Sequence, residues 1–340
     1  MRIGVLGVGG IGGVIGGYFA RAGRDVTLID LWPENIEHIK ANGITVTAPD
    51  EEFTARAKAL HLGEVAAVRP AFDAVVLSVK SYDTSWSSRF IQPYLAPGGF
   101  IASAQNSINE DAIAEVVGWP RVVGCVVTLG AAMYEPGRPQ RTSPSDRPAF
   151  TLGEPSGMIT PRIERLAETM SDIGPTKTTG NLWGERWAKL ATNCMSNAVA
   201  GMTGLKSAEL REDPAIRRLS IAIAGELLEV ASVLGVSVEP ISGIPAAMFL
   251  DALTDGSVQE EVEQGIVEAG RNIGTGRPSL AQDVMKGRKT EVEELNGYVV
   301  RKGRQVGVPT PVNRAIVALT KRVEAGDLEP SLSNLEHIEY

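Results

Sequence analysis

The chain has 340 residues and a formal charge of −8, with 33 Lys and Arg against 41 Asp and Glu. This length is enough for two domains with a large buried core, and the acidic balance argues against nucleic acid or an anionic membrane as a partner. The two cysteines, Cys125 and Cys194, offer neither a disulfide framework nor a metal cluster. We therefore expect a small molecule as the partner and no bound metal.

The chain begins with Met1 followed at once by an apolar strand, so we expect no signal peptide. The apolar run over 122–133 is too short to span a bilayer. Both cysteines lie in apolar or helical stretches, which is typical of a reducing compartment. The expected location is the cytoplasm.

The first twelve residues are typical of a dinucleotide-binding turn. An apolar strand over 3–6 leads into a G-x-G-x-x-G pattern, and a helical pattern follows over 14–22. Gly7 permits the tight turn, Gly9 lets the backbone approach a pyrophosphate, and Gly12 lets the helix pack closely on the strand. The alternative is a tight strand-to-helix turn that holds no ligand. The residues expected to hold the cofactor are Gly7, Gly9, Gly10, Ile11 and Gly12.

Asp30 ends the second predicted strand, over 26–30. A carboxylate at this place accepts hydrogen bonds from the ribose hydroxyls of NAD and repels the 2′-phosphate of NADP. No Arg or Lys follows directly. The sequence therefore favours NAD over NADP, while the alternative for Asp30 is an N-cap of the helix that starts near Pro33.

Strand-like and helix-like runs alternate in the first half of the chain, which indicates a parallel sheet flanked by helices. Further strands are expected over 74–79, 100–104, 121–128 and 149–153. The Pro- and Arg-rich stretch over 134–148 reads as a loop or an irregular hairpin.

After Gly180 the spacing of apolar residues becomes helical, so the second half is expected to be all-α. The predicted helices cover 182–199, 216–234, 244–253, 258–269 and 291–303. We therefore predict a Rossmann-type dinucleotide-binding domain over 1–179 and a helical substrate domain over 180–340, with the chemistry where the two halves meet.

Lys189, Asn193 and Asn197 stand at i, i+4 and i+8 and project from one face of a predicted helix. An amine and two amides on a stripe that is otherwise apolar are typical of a surface that faces substrate. The alternative is a solvated helix face with an ordinary lysine.

A second polar group comes later in the chain, around a turn that enters a helix. Ser279 and Asp283 precede the turn, and Glu291 follows it. The alternative here is routine helix capping, by Thr290 or by Asp283.

These segments resemble the ketopantoate reductase (2-dehydropantoate 2-reductase) family. The stretch over 189–197 resembles its catalytic helix, and the stretches over 279–283, 287–291 and 296–297 resemble its second signature. Val79-Lys80 and Gln105-Asn106 are also similar to family motifs. The resemblance runs from Gly7 to about Pro311.

The family resemblance implies hydride transfer between a nicotinamide and a 2-oxo or 2-hydroxy acid. It implies that Lys189 is the general acid and that Glu291 holds this lysine and a substrate hydroxyl. The residues that it assigns to substrate are Asn193, Asn197 and Ser279. It also assigns Asn106 to the catalytic group, with Asn106 and Lys80 near the nicotinamide and its ribose. A homodimer is the expected assembly.

Four departures from the family pattern concern the substrate and the cofactor. Ser107 stands where the family usually has Gly, and Asp30 stands where it usually has a basic residue. The usual Pro-Gly turn before a His-bearing strand survives only as residues 135–137, and the segment over 237–277 is longer than members need. One alternative is an NAD-dependent dehydrogenase of another hydroxy acid or a polyol-like alcohol. Another is a catalytically silent dinucleotide sensor, against which the intact Lys189 and Glu291 weigh. The sequence leaves the substrate, the reaction direction and the oligomeric state open.

Overall fold

The computed structural model describes residues 1–69, 71–270 and 276–340. The chain divides into two compact units, Met1–Leu182 and Trp183–Tyr340. The first unit combines a largely parallel sheet with helices, and the second is built of helices. The predicted fold class is therefore confirmed.

The strands of the first unit are short, and most belong to one sheet. In chain order they are β1 (Ile3–Leu6), β2 (Val26–Asp30), β3 (Ile44–Thr47), β4 (Glu52–Ala55), β5 (Lys58–His61), β6 (Phe72–Leu77), β7 (Leu95–Ser103), β8 (Val122–Val127), β9 (Ala131–Met133), β10 (Pro139–Arg141), β11 (Phe150–Gly153) and β12 (Thr176–Thr179). The main sheet has the order β12-β11-β8-β7-β6-β1-β2-β5. Its neighbouring strands run parallel, except that β11 is antiparallel to β8.

Helices accompany this sheet. They are α1 (Gly10–Arg21), α2 (Pro33–Asn42), α3 (Leu62–Val68), α4 (Thr84–Ile91), α5 (Glu110–Val117) and α6 (Pro161–Met170). Alternate residues of β1 enter different cores: Ile3 and Val5 belong to one buried cluster and Leu6 to another. Because successive side chains of a strand point to opposite faces, the sheet is buried on both sides, as parallel sheets require.

A smaller sheet has the order β4-β3-β10-β9. In it, β9 and β10 pair antiparallel, so the stretch predicted as a loop or irregular hairpin forms the second half of a short hairpin. The strands β3, β4 and β5 were absent from the sequence prediction. Each has only four residues, which is too few for a period of two to stand out in the sequence.

The second unit consists of α7 (Leu182–Thr203), α8 (Ser207–Glu212), α9 (Pro214–Val233), α10 (Ala246–Asp251), α11 (Gly256–Gly270), α12 (Ser279–Met285), α13 (Asn296–Val306) and α14 (Pro311–Glu324). None of the helices within the described ranges is long and apolar enough to cross a membrane. Of the long segment over 237–277, residues 271–275 lie outside the described part of the chain.

Two predicted helix starts in the second unit are wrong. The helix predicted over 291–303 begins only at Asn296, because the backbone turns beforehand: the carbonyl of Glu291 accepts hydrogen bonds from the amides of Glu294 and Leu295. The helix predicted over 244–253 begins after Pro245, since residues 241–244 form a tight turn closed by paired backbone hydrogen bonds.

Candidate functional site

The glycine turn between β1 and α1 excludes side chains at two positions. Gly7 has a φ of 94°, and a Cβ there would lie 2.7 Å from the backbone nitrogen of Val79. A Cβ at Gly12 would lie 1.9 Å from the carbonyl oxygen of Gly7. A Cβ at Gly9 would meet nothing within 4 Å in the described structure. Turn geometry and packing thus account for Gly7 and Gly12, whereas neither accounts for Gly9.

The start of α1 offers open backbone at the positive end of a helix. Gly9 is the N-cap residue, and no side chain caps the helix. Gly10 opens the helix against the backbone of Ala132, and Ile11 packs on the hydrophobic core. A helix N-terminus without a side-chain cap suits a phosphate group.

Asp30 ends β2 and faces the glycine turn. Its carboxylate accepts a hydrogen bond from the amide of Val8 at 2.6 Å and another from the amide of Trp32 at 3.0 Å. Trp32 occupies the N-cap position of α2, so Asp30 is not the N-cap of that helix. The structure therefore places the Asp30 carboxylate beside the turn.

Lys80 and Asn106 follow the neighbouring strands β6 and β7. The side-chain amide of Gln105 donates to the carbonyls of Val79 at 3.0 Å and of Lys80 at 3.4 Å. The hydroxyl of Ser81 donates to the carbonyl of Asn106 at 2.9 Å. These bonds join the two segments at the carboxyl edge of the sheet, which is the edge where parallel α/β sheets bind ligands.

Ser107, the departure from the family pattern after Asn106, has a φ of 70°. This left-handed conformation favours glycine, because a Cβ there crowds the backbone. The turn that presents Asn106 is therefore kept in this chain at the cost of local strain.

The polar stripe on α7 is not a solvated face. Asn193 and Asn197 are only 5% and 7% exposed, and Lys189 is partly buried. Burial lowers the pKa of the Lys189 amine, and the positive charge of Arg211 lowers it further. The alternative of an ordinary surface lysine does not hold.

Two predicted substrate residues come together in the second unit. The side-chain amide of Asn197 donates to the hydroxyl of Ser279 at 3.4 Å. Pro278 is the N-cap of α12 and Leu295 that of α13, so neither Asp283 nor Thr290 caps a helix. The capping alternative for this group is therefore wrong.

Glu291 is 5% exposed and lies in the turn before α13. Its position is fixed from both sides. The preceding residue, Thr290, donates through its hydroxyl to Glu324 at 2.9 Å. On the other side, the side-chain amide of Asn296 donates to the carbonyl of Cys194 on α7 at 3.4 Å and to Asn313 at 2.9 Å. The turn that carries Glu291 is thus tied to the helix that carries Lys189.

Arg211 on α8 is not among the site residues predicted from the sequence. This arginine lines a cavity of about 30 Å³ together with Thr192 and Ser196 of α7. No motif spacing marks Arg211, because α8 has only six residues and most of the other residues that line the cavity come from elsewhere in the chain.

Two family models match the chain. The model described as "Ketopantoate reductase PanE/ApbA" matches residues 3–156, and the one described as "Ketopantoate reductase PanE/ApbA C terminal" matches residues 181–324. The 2-dehydropantoate 2-reductase of Aquifex aeolicus is 28% identical over 97% of this chain and 99% of its own length.

Solved structures of similar fold include a member of the same family. A PanE/ApbA family ketopantoate reductase from Ralstonia eutropha JMP134 is 26% identical, with a TM-score of 0.80 over 96% of this chain and 99% of its own. A D-mandelate dehydrogenase solved with NADH and anilino(oxo)acetate shares the fold at 22% identity, with a TM-score of 0.82 and coverages of 96% and 99%. The chain belongs to the ketopantoate reductase family of nicotinamide-dependent oxidoreductases.

Proposed function

We propose that this chain reduces the ketone of a 2-oxo acid with NADH, and that Lys189 supplies the proton. The observation that carries the proposal is the stripe on α7 in which the partly buried Lys189 stands beside the buried Asn193 and Asn197. A buried amine is costly to a fold, so its presence beside two buried amides points to chemistry rather than to stability.

The glycine turn is proposed to hold the pyrophosphate of the cofactor. Gly9 supports this role, because its Cβ position is open and its backbone lies at the uncapped start of α1. When bound, the dinucleotide supplies the hydride that reduces the ketone. Lys80 and Asn106 are proposed to contact the nicotinamide and its ribose from the ends of β6 and β7.

Asp30 is proposed to select NAD over NADP. Its carboxylate is held by the amides of Val8 and Trp32, so it is fixed beside the turn. The carboxylate would repel a 2′-phosphate, and a repulsion of roughly 1.4 kcal/mol already amounts to a tenfold preference.

Lys189 is proposed to act as the general acid. Ketone reduction leaves a negative charge on the oxygen, and an ammonium group both stabilises that charge and donates the proton that neutralises it. The lysine ends the step as a neutral amine, a change that its lowered pKa favours. Glu291 is proposed to orient this amine and a substrate hydroxyl, while Asn193, Asn197 and Ser279 bind the substrate.

A second candidate is the NAD-dependent oxidation of another hydroxy acid or of a polyol-like alcohol. The observation that favours this candidate is the Asp30 carboxylate, which stands in place of the basic residue usual in the family and favours NAD, the cofactor of such an oxidation. The D-mandelate dehydrogenase with the same fold is an example of a hydroxy-acid enzyme on this scaffold. We further propose a homodimer in the cytoplasm, which sedimentation and fractionation would test.

The decisive experiment is a kinetic screen of the purified protein. NADH and NADPH are each tested with a panel of 2-oxo acids, ketopantoate included, and NAD and NADP with the corresponding alcohols. We expect turnover of at least one 2-oxo acid, with kcat/KM at least tenfold higher for NADH, roughly 1.4 kcal/mol. Equal or better turnover with NADPH would refute the assignment of Asp30, and turnover of alcohols alone would favour the second candidate.

A further inference from the structure

The second unit contains a small cavity with a polar part and an apolar part in its lining. Thr192 and Ser196 of α7 line one part of it, and Arg211 of α8 reaches into it. Much of the remaining wall is apolar and includes Ile216 and Phe249. The cavity has a volume of about 30 Å³. That is room for about two water molecules, or for the two oxygens of one carboxylate.

The Arg211 guanidinium has no partner in the part of the chain that the structure describes. Its Nη1 atom is buried without a hydrogen bond, and no described carboxylate pairs with the group. Burial also lowers the pKa of this arginine. A partly buried cation without a partner is unfavourable, and an arginine fork is well shaped to hold a planar anion.

The cavity hydroxyls do not provide donors for such an anion. The hydroxyl of Thr192 donates to the carbonyl of Ala188 at 3.1 Å, and that of Ser196 donates to the carbonyl of Thr192 at 2.7 Å. The hydroxyl of Ser220 likewise donates to the carbonyl of Ile216 at 2.8 Å. These three protons are committed to helix carbonyls, and the fourth lining hydroxyl, that of Ser242, lies 3.3 Å from the hydroxyl of Thr192. The Arg211 fork is therefore the charged donor group of the cavity.

The cavity adjoins the face of α7 that carries the amine. Thr192 and Ser196 follow Lys189 at i+3 and i+7, which places all three on one side of the helix. The charge of Arg211 also acts on Lys189, since it lowers the pKa of the amine. A ligand anion bound by Arg211 would therefore lie close to the proposed proton donor.

We propose that Arg211 anchors the carboxylate of the substrate in this cavity, which has room for the two carboxylate oxygens. The class of ligand is a 2-oxo monocarboxylic acid. In such an acid the carboxylate and the ketone are directly bonded, so the carboxylate can contact Arg211 while the ketone oxygen contacts Lys189. This inference rests on the proposed 2-oxo acid reduction and adds to it the residue that selects an acid over a neutral ketone.

The test compares Arg211→Met with a matched control, Arg218→Met, on an exposed arginine of α9. Two quantities are measured for each variant: the ratio of kcat/KM for a 2-oxo acid to that for its neutral amide, and the rise in Tm caused by oxamate, an unreactive carboxylate. We expect Arg211→Met to lower the ratio by about 100-fold or more and to abolish the oxamate shift. Arg218→Met should match the parent protein in both.

The oxamate measurement separates this inference from the proposed function. The parent protein could reduce no 2-oxo acid and still show a rise in Tm with oxamate that Arg211→Met removes. That result would refute the proposed function and support the anion site. The anion site would be refuted if oxamate did not raise the Tm of the parent protein. It would also be refuted if Arg211→Met kept both the parental ratio of kcat/KM for acid and amide and the parental rise in Tm. If Arg211→Met does not fold, Arg211→Lys decides: it keeps the charge without the fork, and parental behaviour would refute the anchoring role.

Discussion

Alanine at two glycines of the first turn should separate ligand binding from folding. Gly9→Ala adds a Cβ where nothing lies within 4 Å and where φ is −81°, so the fold should lose less than about 1 kcal/mol. Gly12→Ala adds a Cβ 1.9 Å from the carbonyl oxygen of Gly7 and 2.4 Å from the hydroxyl of Ser78. Since backbone must move to relieve that overlap, we expect a loss of about 1–3 kcal/mol or more.

The assay pairs urea unfolding with NADH titration. Gly9→Ala should unfold near the parental midpoint but bind NADH at least tenfold more weakly, because its methyl group occupies the approach proposed for the pyrophosphate. Gly12→Ala should show a lower unfolding midpoint. A Gly9→Ala variant with parental stability and parental NADH affinity would refute the cofactor role of this turn. The G-x-G-x-x-G pattern would then be only a tight turn that holds no ligand.

The remaining predictions concern single side chains. Asp30→Ala should lower the ratio of kcat/KM for NADH to that for NADPH without abolishing activity. An unchanged ratio would show that residues other than Asp30 select the cofactor. Lys189→Met should lower kcat by about 100-fold while NADH affinity stays near parental, and retention of most turnover would exclude the acid role. Burial lowers the pKa of Lys189 in the folded protein below its usual 10.5. Between the folded-state pKa and 10.5 the unfolded chain therefore binds more protons than the folded one, so the free energy of unfolding of the parent should rise with pH over that range. Lys189→Met should remove this rise and stabilise the protein by about 0.5–2 kcal/mol at neutral pH, as unfolding curves across pH would record. Glu291→Gln should impair substrate binding and turnover, with NADH affinity and fold retained; weakened NADH binding instead would argue against its assignment to substrate.

Local sequence determined the parts of this protein that depend on few residues. The glycine turn, the strand that ends at Asp30 and the helix that carries Lys189 are each encoded within about twenty positions, and the structure has them as predicted. The roles of Gly7 and Gly12 also follow from backbone geometry, since a positive φ and a close helix-to-strand contact each demand glycine.

Only the tertiary structure decided which polar residues are buried and which are without a partner. A solvated face remains an alternative for the stripe on α7 until the fold shows that Asn193 and Asn197 are buried. The turn before α13 exists because Thr290 bonds to Glu324 on another helix, a contact that no local pattern encodes. The same holds for Arg211, a lone arginine in a short helix: only packing buries its Nη1 atom without a hydrogen-bond partner in the described structure.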